Sequence, residues 1–199
     1  MPPSLTTLPL SQESELETVP ILKALARAHR YLAELKGVAK SIPNEGILIS
    51  SLTMQEAKDS SAIENIITTH DELFRADIVK GEKINQAAKE IENYRTALSQ
   101  SYLRIKRNGL LRIADILRIQ EIIEPNKAGI RTLPGTVIAN AITKEVIYTP
   151  PQHPDEINDL LDNLVSYIND NRLSELDPLI KMALIHHQFE SIHPFYDGN

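Results

Sequence analysis

The sequence of 199 residues contains no cysteine and no tryptophan, and it has only 6 tyrosines and 3 phenylalanines. The absence of cysteine excludes disulfide bonds, thiolate metal sites and cysteine nucleophiles. A nonspecific nucleic-acid surface needs an excess of Lys and Arg together with stacking aromatic rings. The net charge is −6, and the apolar residues of the one basic-leaning stretch, 104–118, recur at helical spacing, which indicates a solvated helix face. We therefore expect no nucleic-acid binding by this fragment.

Long apolar runs are also missing. No stretch approaches the ~20 apolar residues that a membrane-spanning helix needs, and the N-terminus "MPPSLTTLPL" lacks the basic and apolar regions of a secretory signal. Apolar residues make up 42% of the chain and charged residues 24%, which is typical of a soluble globular protein. The sequence therefore predicts a cytoplasmic protein that does not contact membranes.

Most of the chain has the periodicity of α-helices. Pro20 suits a first helical turn, and leucines recur at helical spacing until Gly37, which predicts the end of the first helix. Thr53 and Glu56 have the spacing of a capping box, which predicts that a second helix begins there and continues through "AKDSSAIENIITTH". Further helices are predicted at about 85–107, which a break at Asn108 and Gly109 would end, and at about 112–123.

The pattern changes over residues 127–151, which glycine and proline punctuate. Two β-rich runs, "TVIA" and "EVIYT", flank a polar "NAITK" and predict a hairpin at about 136–149. Helical spacing resumes at Pro154 with a leucine-rich stripe. Asp177 and Pro178 then provide a helix cap and a first-turn proline. The helix that they predict ends in the polar turn "HPFYDGN".

This terminal turn combines residue types that suit phosphate chemistry. His193 can take up a proton near neutral pH, and Asp197 offers the oxygen ligand that Mg²⁺ prefers. Gly198 permits backbone conformations in which successive N–H groups point at an anion. A base, a metal ligand and a phosphate cradle so close together suggest group transfer from a nucleotide. An ordinary surface loop is the alternative.

The same residues resemble a known motif. "HPFYDGN" resembles the first seven positions of the Fic motif, H-P-F-x-D/E-G-N-G-R-x-x-R, and "SSAIEN" resembles the family's inhibitory-helix signature, [S/T]-x-x-x-E-[G/N]. The hairpin resembles the family's flap. The resemblance implies a mainly α fold, with a helical N-terminal region over residues 1–105 that carries the inhibitory helix. A Fic-type helical core with a β-hairpin flap would occupy residues 106–199 and be incomplete at its C-terminus.

What the resemblance implies about activity is transfer of AMP from ATP to a Tyr, Thr or Ser hydroxyl of a target protein. His193 would be the catalytic base, and Asp197 would bind Mg²⁺. Phe195 would lie in the core and fix the loop, whereas Tyr196 stands at the variable position of the motif and receives no role. The residues at the ATP would be His193, Asp197, Gly198, Asn199 and Glu64.

The resemblance also implies regulation and a partner. Ser60, Glu64 and Asn65 occupy the inhibitory positions, and Ser60 and Glu64 share one helix face because they are four residues apart. Glu64 would pair with the motif's second arginine and take the place of the γ-phosphate. The target protein would add an extended segment to the edge of the hairpin, although a purely structural hairpin is the alternative. A homo-oligomer is compatible with this interpretation.

The motif's G-R-x-x-R part lies beyond these residues, so we interpret the chain as a fragment that ends inside its active site and expect it to be nearly inactive. Transfer of phosphate or phosphocholine, and a non-catalytic ATP-binding adaptor, are the alternatives within the family. Outside it, Zn²⁺ could be held by side chains of the last helix and turn: His186, His187, Glu190 and His193.

Overall fold

A computed structural model of the chain describes residues 5–42, 45–63, 68–69, 86–140 and 142–199, with the side chains of 45–49 excepted. Helices dominate these ranges, as the sequence predicted. They are α1 (Val19–Ala39), α2 (Glu45–Ile63), α3 (Gln86–Asn108), α4 (Ile113–Ile123), α5 (Pro154–Asn169) and α6 (Pro178–Ile192). Short 3-10 helices lie at Glu13–Leu16 and Asn171–Leu173.

Several helix ends agree with the sequence signals. Helix α3 ends at Asn108, and Gly109 follows in the left-handed region with φ 73°, which a glycine adopts without steric cost. Helix α6 begins at Pro178, and the side chain of Asp177 accepts a hydrogen bond from the Leu179 amide at 2.9 Å. The predicted cap and first-turn proline are therefore confirmed.

Two predicted helix ends are wrong. Helix α2 begins at Glu45, so Thr53 lies in the interior of the helix and is buried rather than at its N-terminus. The capping-box spacing of three residues is also the spacing of neighbours on one helix face, which explains the error. Helix α1 continues past Gly37 to Ala39, because an interior glycine costs only about 1 kcal/mol. Its last turn closes where Ser41 donates through its amide and its hydroxyl to the carbonyl of Val38.

The predicted hairpin is confirmed, with shorter strands. Strand β1 (Ile138–Ala139) pairs antiparallel with β2 (Val146–Tyr148), and the register shifts between the two residues of β1. Asn140 shapes the connecting turn because its side-chain oxygen accepts hydrogen bonds from the amides of Ile142 and Thr143, at 2.9 and 3.0 Å. A side chain that bonds its own turn in this way takes the place of an Asn-Gly pair, which this hairpin does not contain.

The described residues form two compact units. The first contains the residues up to Leu32 together with Leu110–Leu117 and Ala128–Asn199, and the second contains Ala33–Gly109 and Arg118–Lys127. These units interleave along the chain, and the predicted division at residue 105 stays a prediction. Among the described residues, no helix combines the length and the apolar character needed to cross a membrane.

Each unit has its own apolar core. In the first, the predicted stripe of α5 packs with the end of α6, and the buried residues are Leu8, Ile157, Leu160, Leu161, Leu164, Tyr167 and Ile192. In the second, α2 contributes Met54 and Ala57, and α3 contributes Ala88 and Ile91. Because Ile192 is fully buried, the first core fixes the last turn of α6 and hence the start of the terminal turn.

Candidate functional site

Helix α6 delivers His193 to the surface of the first core. The helix ends at Ile192, and His193 follows with φ 47° and ψ 63°, in the left-handed region. Its amide still donates to the carbonyl of Phe189 at 3.0 Å. Left-handed backbone in a residue other than glycine costs of the order of 1–3 kcal/mol and is frequent at functional sites. The conformation turns the chain sharply out of the helix and leaves the imidazole half-buried.

The side chain of Asn199 closes the turn that follows. Its Oδ1 accepts from the Phe195 amide at 2.7 Å, its Nδ2 donates to the Phe195 carbonyl at 3.0 Å, and Nδ2 lies 3.1 Å from Nε2 of His193. Because the Phe195 N–H can only donate, Oδ1 must face it and Nδ2 must face the imidazole. Nε2 therefore accepts a hydrogen bond, and in the neutral ring the proton resides on Nδ1.

Apolar packing also stabilises the terminal turn. Phe195 is 1% exposed, and Pro194 is also buried. The Phe195 ring lies against that of Phe189 in α6, with the centroids 6.4 Å apart and the planes tilted by 56°, a favourable aromatic geometry. The predicted core role of Phe195 is confirmed.

Asp197 and Gly198 form the outer part of the turn. The carboxylate of Asp197 is exposed, and its Oδ1 lies 3.0 Å from the Gly198 amide that donates to it. Gly198 has φ 70°, so its left-handed backbone is one that glycine adopts at little cost. Mg²⁺ is commonly held by one or two carboxylates together with water and substrate phosphates. One exposed carboxylate beside the turn fits that mode of binding.

Arg131 is a residue of this site that sequence reasoning missed. It precedes the hairpin and is fully buried. Its Nε donates to the His193 carbonyl at 2.7 Å, and its Nη2 donates to the carbonyls of Ile192, at 3.3 Å, and Pro151. Burial lowers its pKa from the ordinary value. The only signal in the sequence was a single arginine within an otherwise uncharged stretch, "AGIRTLPGTVIANAIT".

Two tyrosines also connect the hairpin region to the terminal turn. The hydroxyl of Tyr196 accepts hydrogen bonds from the amides of Thr132, at 2.9 Å, and Leu133, at 3.0 Å. The hydrogen bond between this hydroxyl and that of Thr132, at 3.5 Å, lowers the pKa of Tyr196 most, and the two amide bonds lower it further. The hydroxyl of Tyr148, in β2, donates to the Ser191 carbonyl at 2.9 Å, and burial raises its pKa. Tyr196, which received no role from the motif, thus connects the terminal turn to residues 132 and 133 by hydrogen bonds.

The predicted inhibitory residues are described only in part. Ser60 lies in α2, where its hydroxyl donates to Glu56 Oε1 at 2.9 Å. Glu64 and Asn65 lie outside the described residues, so their predicted role stays a prediction. The zinc alternative gains no support, because among the residues that the structure describes no three His, Asp or Glu side chains are placed to hold a metal ion.

Comparison with known proteins relates the chain to one family. The family model described as "Fic/DOC family N-terminal" matches residues 22–102. A Fic family protein from Desulfovibrio desulfuricans G20 has a TM-score of 0.67 and 18% sequence identity, over 91% of this chain and 54% of that chain.

Two further solved structures have the same fold. A Fic domain containing signaling protein from Bacteroides thetaiotaomicron gives a TM-score of 0.64 at 19% identity, over 74% of this chain and 57% of its own. Fic-1 from C. elegans gives 0.64 at 20% identity, over 96% and 58%. The predicted fold class is confirmed. The chain spans less than two thirds of the length of each of these structures.

Proposed function

Residues 22–102 match the Fic/DOC N-terminal family model, and the solved Fic proteins share the fold; we propose that this chain is part of an enzyme that transfers AMP from ATP to a hydroxyl group of a target protein. The observation that supports this proposal is the hydrogen bonding of the His193 imidazole, whose Nε2 is an acceptor. A buried helix end, a left-handed backbone and the Asn199 amide together present its Nε2 as a hydrogen-bond acceptor. An unprotonated imidazole nitrogen is what a general base needs near neutral pH.

In the proposed reaction the target hydroxyl replaces the Asn199 amide at Nε2 of His193. The hydroxyl oxygen attacks the α-phosphorus of ATP and gives its proton to Nε2, while the bond from the α-phosphorus to the pyrophosphate oxygen breaks. Pyrophosphate leaves, and the target carries AMP. Positioning and stabilisation of the phosphate charge provide most of the acceleration in such reactions.

Asp197 would hold Mg²⁺, whose chemistry here is to neutralise the negative charge of the phosphates. The backbone at Gly198 would turn amide groups toward the same charge. The side chain of Asn199 is already used to close the turn. We therefore assign it the positioning of His193 in addition to the predicted place beside ATP.

The hairpin would receive the target. The side chain of Ile147 in β2 is 68% exposed, and Ile142 in the connecting turn is 91% exposed. A two-stranded ribbon of this kind can pair with an added strand through backbone hydrogen bonds, while its apolar side chains contact those of the target. In this mode of binding, recognition of the target would depend more on its backbone than on its side chains.

The test is label transfer by the protein extended through the Gly-Arg-x-x-Arg part of the motif. With ATP labelled at the α-phosphorus we expect labelled protein, and His193→Ala should reduce the rate by at least about 100-fold, as loss of a general base does. His187→Ala is the matched control because that histidine is exposed on α6. Label from the γ-phosphorus would indicate phosphate transfer, and ATP binding without any transfer would indicate the adaptor.

A further inference from the structure

We propose that Arg131 is the positioning residue of this site, one that fixes the backbone of His193 and ties it to the base of the hairpin. This inference rests on the proposed function for its catalytic consequence, though not for its structural test. Among the described residues, every hydrogen bond that Arg131 donates goes to a backbone carbonyl, and none goes to the His193 imidazole. It acts through the main chain on both sides of His193.

The contacts of Arg131 converge on one short stretch. The guanidinium donates to the carbonyls of Ile192 and His193, and the Arg131 amide donates to the Pro194 carbonyl at 2.9 Å. Three consecutive carbonyls are thus held by one residue, and the middle one belongs to the residue in the left-handed conformation. Unusual backbone conformations persist only where the surroundings over-determine them. Arg131 provides that restraint.

The burial of Arg131 makes a merely stabilising role a weaker explanation. The side chain is 0% exposed, and no carboxylate among the described residues pairs with it. A buried charge without an ion partner is costly, and apolar residues of similar size often stabilise a core as well or better. The favourable partner that remains is the C-terminus of α6, where unsatisfied carbonyls attract a cation. The site therefore uses the guanidinium for its geometry.

The same guanidinium reaches the other end of the hairpin. Nη2 donates to the carbonyl of Pro151, which follows β2, whereas Arg131 itself precedes β1. The side chain of Gln152 completes the base of the hairpin, since its Oε1 accepts from Gly135 at 2.7 Å and its Nε2 donates to Thr136 at 3.0 Å. The hairpin and His193 consequently share one anchor, so a target docked on the hairpin would be held at a fixed position relative to the base.

The test uses the 199-residue chain and nitrogen NMR of its histidines, which distinguishes the tautomers of the His193 ring. In the unaltered chain the Nδ1–H form should outweigh the other by about tenfold, the effect of one ordinary hydrogen bond to Nε2. Arg131→Met should bring the ratio near one. Arg131→Lys should give an intermediate ratio, because an ammonium group is a point charge and not a planar fork. Arg172→Met is the control, since that arginine is 90% exposed.

Circular dichroism identifies the folded variants. A folded Arg131→Met or Arg131→Lys chain with the unaltered tautomer ratio would overturn the inference, and so would failure of both variants to fold, which would assign Arg131 to stability alone. In the extended protein, Arg131→Lys should lower kcat by up to ~100-fold with little change in KM for ATP, as misplacement of a catalytic group does. Failure of the proposed function would appear in the label transfer of His193→Ala, whereas failure of this inference would appear in the tautomer ratio.

Discussion

The side-chain amide of Asn199 donates to Nε2 of His193 across 3.1 Å, and its oxygen accepts the Phe195 amide across 2.7 Å. One asparagine therefore closes the turn and selects the tautomer of the ring that the turn presents. Arg131 restrains the same histidine through its carbonyl, to which the guanidinium donates across 2.7 Å. The candidate base is thus held at its imidazole and at its backbone by two residues 68 positions apart (199 − 131).

The role of Asn199 predicts the effect of Asn199→Asp. A carboxylate can still accept the Phe195 amide, but it has no hydrogen to donate to His193 and attracts an N–H instead. The proton of the neutral ring should therefore move from Nδ1 to Nε2, which nitrogen chemical shifts measure directly. Asn158→Asp, an exposed position on α5, should leave the His193 tautomer unchanged. An unchanged tautomer in Asn199→Asp would contradict the assigned hydrogen bond.

Two tyrosines should give opposite dependences of stability on pH. In the folded protein the pKa of Tyr196 is lowered from 10.0. The stability that the Tyr196 phenolate contributes is therefore complete above pH 10, and it is lost as the pH falls through the pKa that Tyr196 has in the folded protein. Burial raises the pKa of Tyr167 to about 12, so its contribution is complete below pH 10 and is lost between pH 10 and about 12. The measurement is the free energy of unfolding by urea at a series of alkaline pH values. Tyr196→Phe should abolish the loss of stability on lowering the pH that is assigned to Tyr196, and Tyr167→Phe should abolish the loss between pH 10 and about 12.

The phenolate absorbance of the same variants provides a control. Tyr196→Phe should remove the early part of the alkaline titration, and Tyr167→Phe the late part. If the two variants lose the same part of the curve, the hydrogen bonds assigned to the Tyr196 hydroxyl or the burial assigned to the Tyr167 hydroxyl are wrong.

Two asparagines on α5 should contribute strongly to stability. Asn163 accepts from the amide of Leu8 at 2.8 Å and donates to its carbonyl at 2.7 Å. Asn169 makes the same pair of bonds to Leu111, at 3.0 and 2.7 Å. Substitution by alanine leaves two backbone groups without a partner, so each variant should lose about 1–3 kcal/mol of unfolding free energy.

Asn158→Ala is the matched control on the same helix, because the Asn158 side chain is exposed and, within the described part of the chain, bonds only to the carbonyl of Pro154, one turn earlier. Its unfolding free energy should change by no more than about 0.5 kcal/mol. Equal losses in all three variants, measured by urea unfolding, would show that helix propensity and not the two-bond bridges determines the effect.

Local signals in the sequence predicted most of the fold and part of the site. Asp177, Gly109 and the stripe of α5 act through neighbours in the chain, so their effects could be inferred from spacing. The predicted helix start at Thr53 was wrong, because the spacing from Thr53 to Glu56 fits a helix interior as well as an N-terminal capping box. Arg131 could not be found in this way, since the partners of its side chain lie 20 to 62 residues away and are backbone carbonyls, which every residue has.

The glutamate of the inhibitory signature should restrain transfer in the complete protein. In the protein extended through Gly-Arg-x-x-Arg, we propose that Glu64 pairs with the final arginine and occupies the place of the γ-phosphate. Glu64→Gly should release that arginine to bind ATP, so transfer of α-phosphorus label should increase. A catalytic glutamate predicts a decrease, and a solvated one predicts no change, so the sign of the effect distinguishes the three roles.

Glu56→Gly is the control for Glu64→Gly, because it makes the same chemical change in α2 and removes the partner of the Ser60 hydroxyl. Glycine in a helix interior costs about 1 kcal/mol, so this variant tests whether destabilising the helix is enough to raise the labelling.

We expect no increase in labelling from Glu56→Gly. In the 199-residue chain neither substitution should raise transfer, because the arginine that Glu64 would restrain is not among these residues. Equal increases from both variants in the extended protein would attribute inhibition to the rigidity of the helix, and the ion-pair mechanism would be rejected.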